Sequence, residues 1–262
     1  MSMRSMAAWP TAVAALVLAA TAVAVPSAHA ADEDDYRLTL TSSSDTTDFG
    51  HRTVDLSGTL TRPDGTPAAD APVRLQASLL FNTWNPWGDP IDPITGEGRD
   101  LGTVRTDANG RFVLEDVPAD RVPSTPGRTL FPRHEVVFYA SHDADPADPG
   151  YVSADTTVNV QAESSTLTYQ VNKRKVREGE YLIVTGKVAW PAGLGPVAGT
   201  RVLLRTYFEN AYNAQTTTDA SGNFMLRAKI DRDDNEFVVF SSPTDYYIAG
   251  EGHTLPVENV TP

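Results

Sequence analysis

Apolar and polar residues alternate with a period of two along most of this chain. Leu38 and Leu40 are set off by polar neighbours, as are Val54, Leu56 and Leu60, then Val73, Leu75 and Ala77, then Val136, Phe138 and Ala140, then Thr156, Val158 and Val160. That is the pattern of half-buried strands. Between these runs lie Pro63-Asp64-Gly65, Ala108-Asn109-Gly110 and Asp148-Pro149-Gly150, turn sequences whose Gly or Asn accepts a positive φ. Beyond the first thirty residues no twelve-residue window holds a 3.6-residue period. The pattern predicts about seven short strands in each stretch of roughly 110 residues, the spacing of a β-sandwich with Greek-key connections.

The strand pattern is written twice. Leu56-Ser57-Gly58-Thr59-Leu60 answers to Val184-Thr185-Gly186-Lys187-Val188. Thr106-Asp107-Ala108-Asn109-Gly110-Arg111-Phe112 answers to Thr218-Asp219-Ala220-Ser221-Gly222-Asn223-Phe224. Val136-Val137-Phe138 answers to Val238-Val239-Phe240, and Tyr151-Val152 to Tyr247-Ile248. The offset between partners falls steadily along the chain, as it must when the second copy keeps its strands and shortens its loops. Each Thr-Asp-x-x-Gly-x-Phe joins two short β runs and predicts a hairpin. The expectation is an all-β fold of two tandem immunoglobulin-like Greek-key β-sandwiches, residues 31–161 and 162–262, meeting at a junction too short to be a flexible linker.

Gly58, the run from Gly65 through Pro72-Val73-Arg74-Leu75, and the Thr106–Phe112 hairpin resemble the bacterial immunoglobulin-like and carboxypeptidase-regulatory-like (prealbumin-like) repeats of secreted proteins. The second copy keeps Gly186, Gly195-Pro196-Val197-Ala198-Gly199 and the Thr218–Phe224 hairpin. At Asp70 the first copy departs from the glycine that Gly199 supplies in the second. The resemblance implies spacer, stalk or binding modules and brings no catalytic residue with it.

The first thirty residues read differently. Arg4 precedes an apolar run from Thr11 to Val25, Pro26 breaks it, and Ala28-His29-Ala30 places small residues where a signal peptidase cleaves. A cleaved signal peptide over residues 1–30 leaves 232 residues with a formal charge of −14, outside the membrane and secreted, extracellular or cell-wall associated. With no cysteine in the chain, disulfides, thiol catalysis and Cys-ligated zinc are excluded. The acidic balance argues against nucleic acid as a partner, since that affinity is built from clustered cations. It is also uneven: residues 31–161 carry 22 acids and 10 bases, whereas residues 162–262 carry 12 and 10, with one basic run at Lys173-Arg174-Lys175-Val176-Arg177.

Chemistry is thinly written. After cleavage four histidines remain, none in a metal-binding spacing, and there is no Gly-x-Ser-x-Gly elbow, P-loop or GxGxxG. These absences favour a non-enzymatic protein without a cofactor. Calcium is the one metal that the composition suits, through Asp143, Asp145 and Asp148 before Pro149-Gly150, or through the acids crowded at Asp231–Glu236; neither has EF-hand spacing. The segment that lengthens the first copy, Leu79 to Leu101, carries Trp84, Asn85, Trp87, Asp89 and Asp92, aromatic and polar groups suited to stacking on a sugar or anchoring a protein. Its plainer role is to close one end of the sandwich or fill the junction between domains. The expected function is surface recognition of an extracellular protein or glycan. The alternative is a secreted carbohydrate-active or other hydrolytic enzyme with its site at this same aromatic and acidic loop. Joining Lys173 or Lys175 to Asn259 by an isopeptide bond would need a buried amine, which a charged run does not offer.

Overall fold

The alternating runs become paired strands, in a computed structural model that describes residues 36–82, 95–121, 131–144, 151–206 and 214–262. In the N-terminal half they are β1 (Arg37–Leu38), β2 (Thr41–Ser42), β3 (Thr46–Asp48), β4 (Thr53–Thr61), β5 (Pro72–Asn82), β6 (Thr95–Arg105), β7 (Arg111–Pro118), β8 (Phe131–Asp143) and β9 (Tyr151–Gln161). The C-terminal half continues with β10 (Glu163–Ser164), β11 (Thr166–Val171), β12 (Lys175–Val176), β13 (Tyr181–Ala189), β14 (Arg201–Arg205), β15 (Ala214–Thr217), β16 (Asn223–Lys229), β17 (Val238–Ser242), β18 (Ile248–Ala249), β19 (Gly252–Thr254) and β20 (Glu258–Asn259). No helix occurs among the described residues, and the fold is all-β.

In the N-terminal half β4 is flanked by β1 and β2 on one side and β7 on the other, and a second sheet runs β3-β9-β8-β5-β6. In the C-terminal half β11-β13-β16 form one sheet and β15-β14-β17-β19 another. Short parallel pairings place β3 at the edge of the five-stranded sheet beside β9 and join β12 to β20 as a two-stranded sheet of their own. This two-sheet order is that of immunoglobulin-like sandwiches. No sheet takes strands from both halves. Inward-facing residues of each half make their own core: Leu56, Leu60, Leu75 and Phe138 in one, Leu182, Val184, Val202 and Val239 in the other.

The Thr-Asp-x-x-Gly-x-Phe hairpins show why those residue types are needed. Asp107 Oδ1 accepts from the backbone N–H of Asn109 at 2.8 Å and Arg111 at 2.9 Å, and Asp219 Oδ1 accepts from Ser221 and Asn223 at 2.8 Å each. Those amide donors, the Arg111 and Asn223 ones foremost, hold both carboxyls below the usual carboxylate range. Buried Thr106 and Thr218 donate to the carbonyls of Ala68 and Val197 and accept from the N–H of Ala71 and Thr200. The motif therefore anchors its hairpin to the preceding loop.

Where the halves meet, the turn between β17 and β18 reaches out of its own sandwich. Tyr246 and Tyr247 are buried in the N-terminal core. Tyr246 stacks edge-on to Phe81 at 5.8 Å, donates to the Glu135 carbonyl at 3.0 Å and accepts from the Glu135 N–H at 3.1 Å. The Tyr247 hydroxyl reaches the Ala119 carbonyl at 2.9 Å and Thr47 Oγ1 at 3.0 Å. Arg52 lies between the Phe49 and Tyr247 rings, 4.3 and 4.4 Å from their centroids, and bridges Asp120 at 2.8 Å and Asp245 at 3.0 Å. Each buried tyrosine removes about 150–250 Å² from water, a few kcal/mol apiece at ~25 cal/mol/Å². Asp35–Pro262 accordingly form one compact unit.

Candidate functional site

On β8 the inward positions are taken by Val136, Phe138, Ala140 and His142, which turns Tyr139, Ser141 and Asp143 to the outer face of the five-stranded sheet. On β9 the inward run ends in buried Val158 and Val160, and Tyr151, Ser153 and Asp155 share the outer face. Register places Tyr139 opposite Asp155 and Tyr151 opposite Asp143. From β5, Arg74 and Gln76 stand opposite Ser141 and Tyr139. The result is an open groove of about 640 Å³ lined by Gln76, Ser141 and Ser153 together with the rings of Tyr139 and Tyr151. These rings are 41 % and 69 % exposed, which sets them apart from the buried aromatics of the core.

Charge in the groove is partly cancelled. Arg74 pairs with Asp100 at 2.9 Å. The N–H of Gly102 first, and Arg74 second, lower the Asp100 carboxyl below its ordinary value. Among the described residues lining the groove Asp143 is the one carboxylate, and histidine is absent. The lining offers two ring faces, hydroxyls, an amide and a guanidinium.

The residues singled out from the sequence fall mostly elsewhere. Trp84, Asn85, Trp87, Asp89 and Asp92 lie outside the described residues, as do Asp145 and Asp148. Asp143 lines the groove. The junction between the halves holds Tyr246 and Tyr247. Among the described residues no three His, Asp or Glu side chains gather as a metal site. Of the acids between Asp231 and Glu236, Asp234 is buried and accepts from Thr206 Oγ1 at 2.6 Å and the Asp231 N–H at 2.8 Å, while Glu236 pairs with Arg205 at 3.1 Å. In the basic run Lys173 pairs with Glu180 at 2.9 Å and Lys175 with Glu258 at 3.6 Å. The Asn259 side-chain amide donates instead to the carbonyls of Asp231, Arg232 and Asp234.

Alternation taken as a signal for the core alone does not single out Tyr139 and Tyr151. Their signal was available: each is a large aromatic in the polar phase of a period-two run.

No family model matches the chain, and no curated protein is significantly similar to it in sequence. Among solved structures it is similar to the Yersinia pseudotuberculosis adhesin InvE, with 12 % identity, a TM-score of 0.38 and 86 % of this chain covered. The chain spans 59 % of that structure's length. It is also similar to a tetra-tandem repeat from the extending region of a large adhesion protein, with 16 % identity, a TM-score of 0.34, 83 % of this chain covered and 48 % of that one. Murine CEACAM1b gives 12 % identity and a TM-score of 0.29 over 86 % of this chain and 100 % of that one. At these identities no residue role transfers to this chain.

Proposed function

We propose that this chain is an exported, non-enzymatic recognition module, secreted or held at the cell wall, in which a signal peptide at residues 1–30 precedes two copies of one immunoglobulin-like sandwich, residues 31–161 and 162–262. It engages an extracellular protein or glycan through the outer face of its five-stranded sheet. The observation that carries this reading is the pair Tyr139 and Tyr151, exposed rings on a polar sheet face that frame an open groove. Exposed aromatics on a rigid scaffold lose little entropy on binding, which makes them effective contact residues. Two copies of one unit are supported by the matched surroundings of Gly58 and Gly186: a Cβ on either would meet a carbonyl oxygen, at 2.1 and 2.0 Å, and the ring of the hairpin phenylalanine.

The test is a capture experiment on secreted and wall material from the producing cells, with wild-type protein and a Tyr139→Ala/Tyr151→Ala variant. Both side chains lie outside the core, so the melting temperature stays within a few degrees of wild type while capture is lost. Unchanged capture by the variant would refute the reading.

A further inference from the structure

The outer face of the β11-β13-β16 sheet departs from the acidity of the rest of the chain. Its outward positions are Thr166, Thr168 and Gln170 on β11, Tyr181, Ile183, Thr185, Lys187 and Ala189 on β13, and Asn223, Met225, Arg227 and Lys229 on β16. That set holds three cations and no carboxylate, in a chain of net charge −13. Among the described residues none of the three cations makes an ion pair. Arg227 instead stacks over the Tyr181 ring, 3.7 Å from its centroid. Met225 is 65 % exposed and Tyr181 42 %. An exposed Met and Tyr beside a pre-stacked Arg are the residue types that interface cores favour.

We infer that this face docks on the Tyr139/Tyr151 face of a second copy of the chain. The inference rests on that groove being a recognition surface, and it names the groove's partner. Charge complementarity selects the occupant. The N-terminal half carries 22 acids against 10 bases. Each groove tyrosine has a carboxylate opposite it in the sheet, Tyr139 with Asp155 and Tyr151 with Asp143. On the basic face an apolar residue likewise stands opposite a cation, Tyr181 with Lys229 and Ile183 with Arg227.

The spacing also agrees. Asp143 pairs with Tyr151, and Asp155 lies four residues further along β9; Lys187 pairs with Asn223, and Arg227 lies four residues further along β16. Four residues at ~3.4 Å and one inter-strand step of ~4.8 Å separate the members of each like-charged pair by about 14 Å. Two carboxylates on one face thus match two cations on the other. The two surfaces differ, so the contact is heterologous: each copy offers one of each, and copies join head to tail.

Two acidic copies repel one another at long range, and salt screens that repulsion together with the local attraction. Ionic strength is therefore a poor diagnostic, and the position of charge is a good one. The experiment is sedimentation velocity of the purified protein over a range of concentrations at one moderate salt. Four proteins are compared: wild type, Lys187→Glu/Arg227→Glu, Asp143→Lys/Asp155→Lys, and Lys173→Glu/Lys175→Glu as a control that changes net charge by the same amount elsewhere. Wild type and control associate, whereas the other two variants weaken association by roughly ten-fold or more. The Asp143→Lys/Asp155→Lys protein lowers the net negative charge, so its loss of association cannot come from added repulsion. A wild type that stays monomeric throughout overturns this inference and leaves capture through Tyr139 and Tyr151 standing. Association that survives Lys187→Glu/Arg227→Glu to the same extent as the control overturns it as well.

Discussion

A side chain at Gly58 has nowhere to go: its Cβ would sit 2.1 Å from the Thr39 carbonyl oxygen and 2.4 Å from the Phe112 ring. Gly186 is enclosed the same way by Thr168 and Phe224. At Gly199 the constraint is of another kind, because nothing lies within 4 Å of an added Cβ but φ is +80°. Asp70, which stands where the first copy would carry the corresponding glycine, holds φ at +55°. These environments predict an ordered series in urea unfolding. Gly58→Ala and Gly186→Ala cost about 3 kcal/mol or more through overpacking against backbone, and Gly199→Ala costs about 1–2 kcal/mol through backbone strain alone. Asp70→Gly gains up to about 1 kcal/mol by relieving that strain, since the exposed Arg105–Asp70 contact at 3.1 Å contributes little. If Gly199→Ala costs as much as Gly58→Ala, close approach is not what fixes glycine at Gly58.

Among the elements, the turn between β17 and β18 does more than connect strands. It lends its two tyrosines to the other half's core, and β8, which bonds the Tyr246 hydroxyl through Glu135, is irregular there. In β8 the register with β5 shifts between Leu79 and Phe81, and His134 takes φ of +56°. His134 Nδ1 lies 2.9 Å from the Tyr246 carbonyl, which fixes the proton on Nδ1 as donor. Burial lowers the His134 pKa, and the bond to Tyr246 offsets this only in part. The native state thus favours neutral imidazole, while an unfolded histidine titrates near pH 6.5. The stabilising contribution is complete above about pH 6.5 and is lost as pH falls through that value toward the lower native pKa. A plot of melting temperature against pH therefore drops for wild type below about 6.5 and is flatter for His134→Asn, since Asn tolerates a positive φ and does not titrate. Parallel curves for the two proteins would remove His134 from the joint's energetics. The lowered carboxylates, Asp107 and Asp219 among them, act in a separate and more acid range, below their ordinary 3.8.

For the molecule as a whole, the strands and turns were legible because each sheet has a wet and a dry face, and period-two alternation records that difference directly. The Thr106–Phe112 and Thr218–Phe224 hairpins were legible because side chain and backbone satisfy each other within a few residues. The joint was not, since Tyr246 and Tyr247 look like ordinary strand-end aromatics until the fold brings Glu135, Ala119 and Thr47 to their hydroxyls from more than a hundred residues away. Nor were the two candidate faces legible, because a sheet's outer surface is assembled across strands and single-strand patterns do not show which polar positions become neighbours. At this scale we propose recognition through the outer sheet face around Tyr139 and Tyr151. Hydroxyl-radical footprinting tests it most directly, because tyrosine and tryptophan side chains both react and report in one experiment. With the protein bound to the material it captures, Tyr139 and Tyr151 lose reactivity relative to the free protein; protection confined to Trp84 and Trp87, with both tyrosines as reactive as before, would contradict the account.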